Sequence, residues 1–151
     1  FDKNGFLVFN KTLFEYNADI NMDVGGNTPL IEAIFSGAKD SVKVLIELGA
    51  STNEESPMGT PLGEACYCGE YEIVKILIDS GSDINKCDDL NQTPMYYATY
   101  SGSLDIVKYL IEKGYRVTSE DVDNAIMFSS DNITAYLQAS LDETAVTNTL
   151  E

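Results

Sequence analysis

The chain contains no histidine. That removes the side chain most used to move protons near neutral pH, to activate a serine or cysteine nucleophile and to complete a zinc site. Cysteine is scarce and odd in number, with Cys66, Cys68 and Cys87 only. Such usage argues against a disulfide-stapled secreted fold and for a reducing compartment such as the cytosol. Basic side chains are also few: 9 against 25 acids, a formal net charge of −16 at pH 7. A chain so acidic repels phosphate backbones, so no nucleic-acid partner is expected. No apolar run approaches about 18 residues, and no membrane span is expected. There is no glycine-rich phosphate cradle either, and no cofactor or metal site is anticipated.

What the chain does have is a period. Thr28-Pro29-Leu30, Thr60-Pro61-Leu62 and Thr93-Pro94-Met95 recur 32 and then 33 residues apart. Ala33, Ala65 and Ala98 keep the same step, as do Gly37, Gly69 and Gly102, and Gly49, Gly81 and Gly114. Asn21, Asn53 and Asn85 follow nearly the same interval. Self-similarity at this length marks a repeat array. Threonine caps a helix by accepting from an orphan backbone N–H, and proline suits the first helical position, where its missing N–H is not needed. Each Thr-Pro therefore predicts a helix start, and the glycine that follows predicts a left-handed helix end. A second helix is predicted through Val42–Leu48, Ile73–Ile78 and Ile106–Ile111, closing at the next glycine. Each unit thus reads helix, turn, helix, with a Gly/Asn/Asp-rich turn or hairpin before the next.

The run Asp23-Val24-Gly25-Gly26-Asn27-Thr28-Pro29-Leu30, with Ala33, Gly37, Val42, Leu45, Ile46, Gly49, Ala50 and Asn53, and the matching runs from Glu55 and Asp88, resembles the ankyrin repeat family over roughly residues 1–118. The resemblance implies an all-α solenoid of stacked helix-turn-helix units, with short β-hairpin or turn fingers and a concave surface made of fingertips and first helices. Two departures stand out. The histidine usual after Thr-Pro-Leu is replaced by Ile31, Gly63 and Tyr96, and the second finger, Glu55-Ser56-Pro57-Met58-Gly59, has shifted its glycine. In the family's register Cys66 falls at a small core position, which makes it a buried thiol rather than a ligand. The expected organisation is a single domain over residues 1–140. It comprises a partial unit at 1–22, full units at 23–54, 55–87 and 88–118, and a degenerate closing unit at 119–140. In that closing unit Ser119 caps a helix through Ile126 and Met127, and Ser130 caps another. Residues 141–151 form a frayed polar tail, with Leu150-Glu151 read as a vector scar. Because the period places the start of the chain inside a first helix, further repeats or another domain are expected upstream, which leaves secretion open.

Charge and aromatics indicate where a partner would sit. Lys43, Lys75 and Lys108 share one repeat position, each with an acid three residues before and four after, and this reads as a neutralised outer face. The remaining acids fall on fingers and first helices, so Glu32, Glu55, Glu64 and Asp88 are assigned to an acidic groove. Phe35, Tyr67 and Tyr100 end successive first helices and should form a ladder, either as contact surface or as packing. The expected function is a non-catalytic protein–protein interaction module, monomeric as a fragment, that binds a protein or peptide of basic character through Asn27, Phe35, Ser56, Tyr67, Asp89, Leu90 and Tyr100. Two alternatives are an inhibitor or immunity-like protein capping a basic enzyme, and a targeting domain of a larger protein whose activity lies elsewhere. No catalytic residue is assigned. The only raw material is carboxylates such as Glu32 and Glu64, and repeated carboxylates read more simply as an acidic surface.

Overall fold

A computed structural model describes residues 19–23, 25–53 and 59–149. Eight helices lie among them: α1 (Pro29–Phe35), α2 (Lys39–Glu47), α3 (Pro61–Tyr67), α4 (Tyr71–Asp79), α5 (Pro94–Tyr100), α6 (Leu104–Glu112), α7 (Ser119–Met127) and α8 (Asp131–Thr149). They form four consecutive pairs. First helices pack in the order α1, α3, α5, α7, and second helices in the order α2, α4, α6, α8.

The three Thr-Pro marks start helices for the expected reason. Thr28, Thr60 and Thr93 have extended backbone, and their hydroxyl oxygens accept from the N–H groups of Ile31, Gly63 and Tyr96 at 3.3, 3.0 and 3.1 Å. The next proline occupies the first turn, so one orphan donor is capped and another never existed. Each of these helices ends after seven residues in a left-handed glycine, with φ of 62° at Gly37 and 71° at Gly69 and Gly102. The turn lets the residue after the glycine donate back to the register alanine: Ala38 to Ala33, Glu70 to Ala65, Ser103 to Ala98. All three alanines are fully buried.

The closing unit obeys the same geometry with different residues. Ser130 donates to the buried Ala125, and Ser129 supplies the left-handed turn at φ 55° without being glycine. Its first helix is capped by Thr118, not by Ser119, through a reciprocal pair in which Thr118 Oγ1 accepts from Asp121 N and Asp121 Oδ2 accepts from Thr118 N. The helix does run through Ile126 and Met127, yet both are exposed. Val122 and Ala125 face the core instead. The segment expected as a frayed polar tail is part of the last helix. Helix α8 continues unbroken to Thr149, with Ile133 and Leu137 buried and residues 142–149 exposed.

The core is a line of local interfaces. Leu30, Ile34 and Leu45 belong to the first described unit, Leu62, Ile73 and Leu77 to the second, Met95, Ile106 and Leu110 to the third, and Ile133 and Leu137 close it. Hydrogen bonds across units explain the repeating asparagine. Asn21 Oδ1 accepts from Ser51 N at 2.7 Å and Asn53 Oδ1 from Asp83 N at 2.9 Å, while Asn53 Nδ2 donates to the Gly81 carbonyl at 3.2 Å. These amides satisfy backbone groups just past the second helices, where no helical partner remains. The third finger turns at Asp88–Gln92, with Asn91 at φ 61° and Asp88 Oδ1 accepting from both Leu90 N and Gln92 N. Among the described residues the fingers contain an isolated bridge at Gly59 but no extended strand.

Ser129 holds an αL backbone that costs a side-chain-bearing residue about 1–2 kcal/mol, partly offset by the lower chain entropy of serine when unfolded. Ser129→Gly is therefore expected to stabilise the protein by about 0.5–1 kcal/mol, read as a higher urea midpoint at unchanged slope. An unchanged or lower midpoint would show that the serine carries no strain.

Candidate functional site

The last residue of each short first helix projects beyond the packed alanines. Phe35, Tyr67 and Tyr100 are 37%, 47% and 53% exposed. Tyr67 and Tyr100 stack across neighbouring units with centroids 5.6 Å apart and planes at 15°. Tyr100 meets Phe128 edge-on at 5.2 Å, Phe128 meets Tyr96 at 5.4 Å, Tyr96 meets Tyr97 at 5.4 Å, and Tyr97 returns to Tyr67 at 6.1 Å. Five rings thus close a circuit across three units. Such offset and edge-on pairs contribute roughly 0.5–1.5 kcal/mol each beyond burial, so the ladder is both packed and open to solvent. Phe35 has no recorded ring contact among the described residues. Phe128 is the member that repeat counting misses, because it follows a first helix displaced by 27 rather than 32 residues and occupies the cap position held by Ser36, Cys68 and Ser101.

The acids assigned to the groove behave unequally. Glu32 is exposed and its Oε1 accepts from Asn27 Nδ2 at 2.7 Å, which ties two of the candidate residues together. Asp89 and Leu90 are exposed at the third fingertip, Leu90 to 75%. Asp88 is half-buried and committed internally: one oxygen holds the finger turn and the other accepts from the Tyr97 hydroxyl. Glu64 departs most from expectation. Its side chain is only 4% exposed, so it is no open groove acid. The cause is local. Glu64 folds back towards Gly59, where a Cβ would sit 2.9 Å from Glu64 Oε1, and the Tyr97 ring covers the adjacent Gly63. A Cβ on Gly63 would lie 3.2 Å from that ring, which accounts for glycine where the family's histidine is usual. Glu55 and Ser56 lie outside the described residues.

Burial, and then the charge of Asp88, pushes the Glu64 carboxyl up to about 7. The Tyr97 phenol is also raised, first by burial and then by its hydrogen bond to Asp88. Cys66 is fully buried and its thiol is pushed up by desolvation, which leaves it inert as a nucleophile. All three cysteines are free. Among the described residues no group of three His, Cys, Asp or Glu side chains is placed to hold a metal ion, and no helix is long and apolar enough to cross a membrane.

The outer lysines pair less with acids than their spacing suggests. Lys75 Nζ is 3.5 Å from Glu72, but it also lies over the Tyr71 ring, and Lys108 lies over Tyr136. Lys113 lies over Tyr109 and reaches Asp79 of the preceding unit at 4.0 Å. Tyrosines of the second helices therefore engage these cations at about 5.2–5.5 Å, within cation–π range.

A family model described as "Ankyrin repeat" matches residues 25–56, and one described as "Ankyrin repeats (3 copies)" matches residues 54–121. No curated protein matches the chain.

The raised Glu64 carboxyl links stability to pH. The folded state holds this proton more tightly than the unfolded chain, so the stabilisation is complete below about 4.5 and is lost as pH rises through about 7. Glu64→Gln is expected to be more stable than wild type at pH 8, by about 1–3 kcal/mol after allowing for partial solvation, with most of that difference gone at pH 5. Urea unfolding at the two pH values reads the effect. Equal wild-type and variant stabilities at pH 8 would contradict it.

Proposed function

Because the chain belongs to the ankyrin repeat family, whose members generally serve as protein–protein interaction modules, we propose that this protein binds a basic peptide segment of its partner along the aromatic ladder Tyr67, Tyr100 and Phe128. The observation that carries the reading is a row of partly exposed rings in contact with one another, Tyr67 stacked on Tyr100 and Tyr100 edge-on to Phe128, on a chain of net charge −16. Tyrosine is favoured at binding hot spots because its ring buries a large area at small entropic cost while its hydroxyl finds a partner. Stacking also holds each ring before contact, so little freedom is lost on binding. Exposed acids, including Glu32 and Asp89, add a long-range attraction that acts mainly on the association rate.

Phe35, Asn27 and Leu90 extend the proposed contact surface on either side of the ladder. Glu64 and Asp88 are left out of it and support it from below, since their carboxyls face Tyr97 and the finger turn. No catalytic step is assigned to any residue. The free, buried thiol of Cys66 favours a reducing compartment such as the cytosol.

Selection of random displayed peptides on the immobilised protein tests this reading. The recovered sequences are expected to be rich in lysine and arginine, and to bind Tyr67→Ala/Tyr100→Ala at least about tenfold more weakly than wild type. Both rings lie outside the buried core, and circular dichroism checks that the double variant stays folded. Undiminished binding by a folded double variant removes the ladder from the interface. Separately, affinity for a selected peptide is expected to fall about tenfold between 50 mM and 500 mM salt, and salt-independent binding would eliminate charge steering.

A further inference from the structure

A cavity of about 290 Å³ opens between the third finger and the closing unit. Leu90, Gln92 and Tyr96 line it from the third unit, and Glu120, Asp121 and Asn124 from α7. Among the described residues that line it there is no lysine or arginine. Tyr96 belongs to this cavity and to the five-ring circuit, so the ladder and the cavity form one continuous surface.

The lining selects a ligand chemistry. Asp121 is 4% exposed and its oxygens accept from Thr118 N, Thr118 Oγ1 and the Tyr115 hydroxyl, so its carboxylate is fixed in place at the cavity wall. Glu120, next to it in the first turn of α7, is exposed and has no recorded hydrogen bond among the described residues. Two carboxylates exclude an anion. Amides at Gln92 and Asn124 disfavour a purely apolar occupant, because they would lose water without gaining a partner. The volume is slightly below the usual range for a whole small-molecule ligand, about 300–1,000 Å³, and suits one long side chain. A group that is cationic, planar and weakly hydrated, able to lie against a tyrosine ring and donate in several directions at once, is a guanidinium. An ammonium offers the charge without the flat face.

We propose that this cavity is an arginine subsite: one arginine of the bound segment enters it, its stem against Leu90 and Tyr96 and its guanidinium towards Glu120 and the neighbouring amides. The inference rests on the peptide-binding reading above and specifies one residue of that peptide. It also gives the closing unit a recognition role besides ending the stack.

The test uses N-acetyl-L-arginine methylamide titrated into the ¹⁵N-labelled protein, with the citrulline analogue as an uncharged control of the same shape. Saturable amide shifts are expected at Gln92, Tyr96, Glu120 and Asn124, with the citrulline analogue at least about fivefold weaker. Glu120→Gln, at an exposed position, should weaken the arginine probe about threefold and leave the citrulline probe unchanged. Tyr96→Ala should weaken the arginine probe about twofold to fivefold. Equal binding of the two probes, shifts confined to other regions, or no saturable shift at all would overturn the subsite. The displayed peptides separate this outcome from failure of the ladder. If they bind Glu120→Gln as wild type but are lost by Tyr67→Ala/Tyr100→Ala, the subsite falls and the groove stands. If they are indifferent to the ladder while the arginine probe still titrates the cavity, the groove reading falls alone.

Discussion

The structure depends on stacking, because no unit can bury its own apolar face. A seven-residue helix such as α1 or α5 is well below the roughly 12–15 residues at which an isolated helix becomes even marginal in water. It exists because Ala33, Ala65, Ala98 and Ala125 bring neighbouring backbones close enough to bury one side of each helix against the next. The caps then refine what packing permits. Threonine opens the helix, a left-handed residue closes it, and the closing turn returns a hydrogen bond to the same alanine. The asparagine bridges extend this to the far end of each pair, where Asn53 couples its own turn to the backbone of the following unit. Stability in such an array is a sum of local and nearest-neighbour contributions, so a defect in one unit is felt mainly by the units it touches.

Stacking constrains some positions and releases others. Two residues beyond each register alanine, the side chain has left the interface between helices, and there the chain carries Phe35, Tyr67 and Tyr100. These rings cost the core little to change. The second and third units also share an irregular joint, in which Gly63 admits the Tyr97 ring, Tyr97 binds Asp88, and Asp88 lies near the buried Glu64. That joint anchors one side of the ring circuit, since Tyr97 contacts both Tyr67 and Tyr96. Polar groups below and aromatic groups above therefore make up one structural unit.

Features set by local chemistry were legible in the sequence. Thr28, Thr60 and Thr93 declare helix starts, Gly37, Gly69 and Gly102 declare ends, and the alanines declare the shared face, because each rule operates within a few residues. Features set by three-dimensional neighbours were not. Glu64 reads as a surface acid in a first turn, and its burial becomes visible only when Gly59 and Tyr97 are known to surround it. Phe128 lies off register because Thr118 follows Gly114 after a shorter connection than Thr60 follows Gly49 or Thr93 follows Gly81, and Ser129 gives no sign in its chemistry that it will adopt a glycine's backbone. Thr118 outcompetes Ser119 as the cap because Asp121 can answer it three residues on. Among the candidate residues the three ring positions, Asp89 and Leu90 are exposed, whereas of the groove acids Asp88 is half-buried and Glu64 is buried.

The two buried carboxylates show how so acidic a chain accommodates acids in its interior. Asp121 accepts from the Thr118 backbone and hydroxyl and from the Tyr115 hydroxyl, which satisfies its buried oxygens. Glu64 lies in a desolvated corner facing another acid, which pushes its carboxyl up to about 7. One carboxylate is satisfied by hydrogen bonds beside the cavity, while the other lies against Asp88 in the joint between the second and third units. Meanwhile Lys75, Lys108 and Lys113 are drawn onto tyrosines of the second helices. Lys75 and Lys113 also reach Glu72 and Asp79, so these cations are engaged on the outer side by ring and acid together. The stack thus presents two kinds of tyrosine, those of the second helices covered by lysine and those of the first helices in contact with one another.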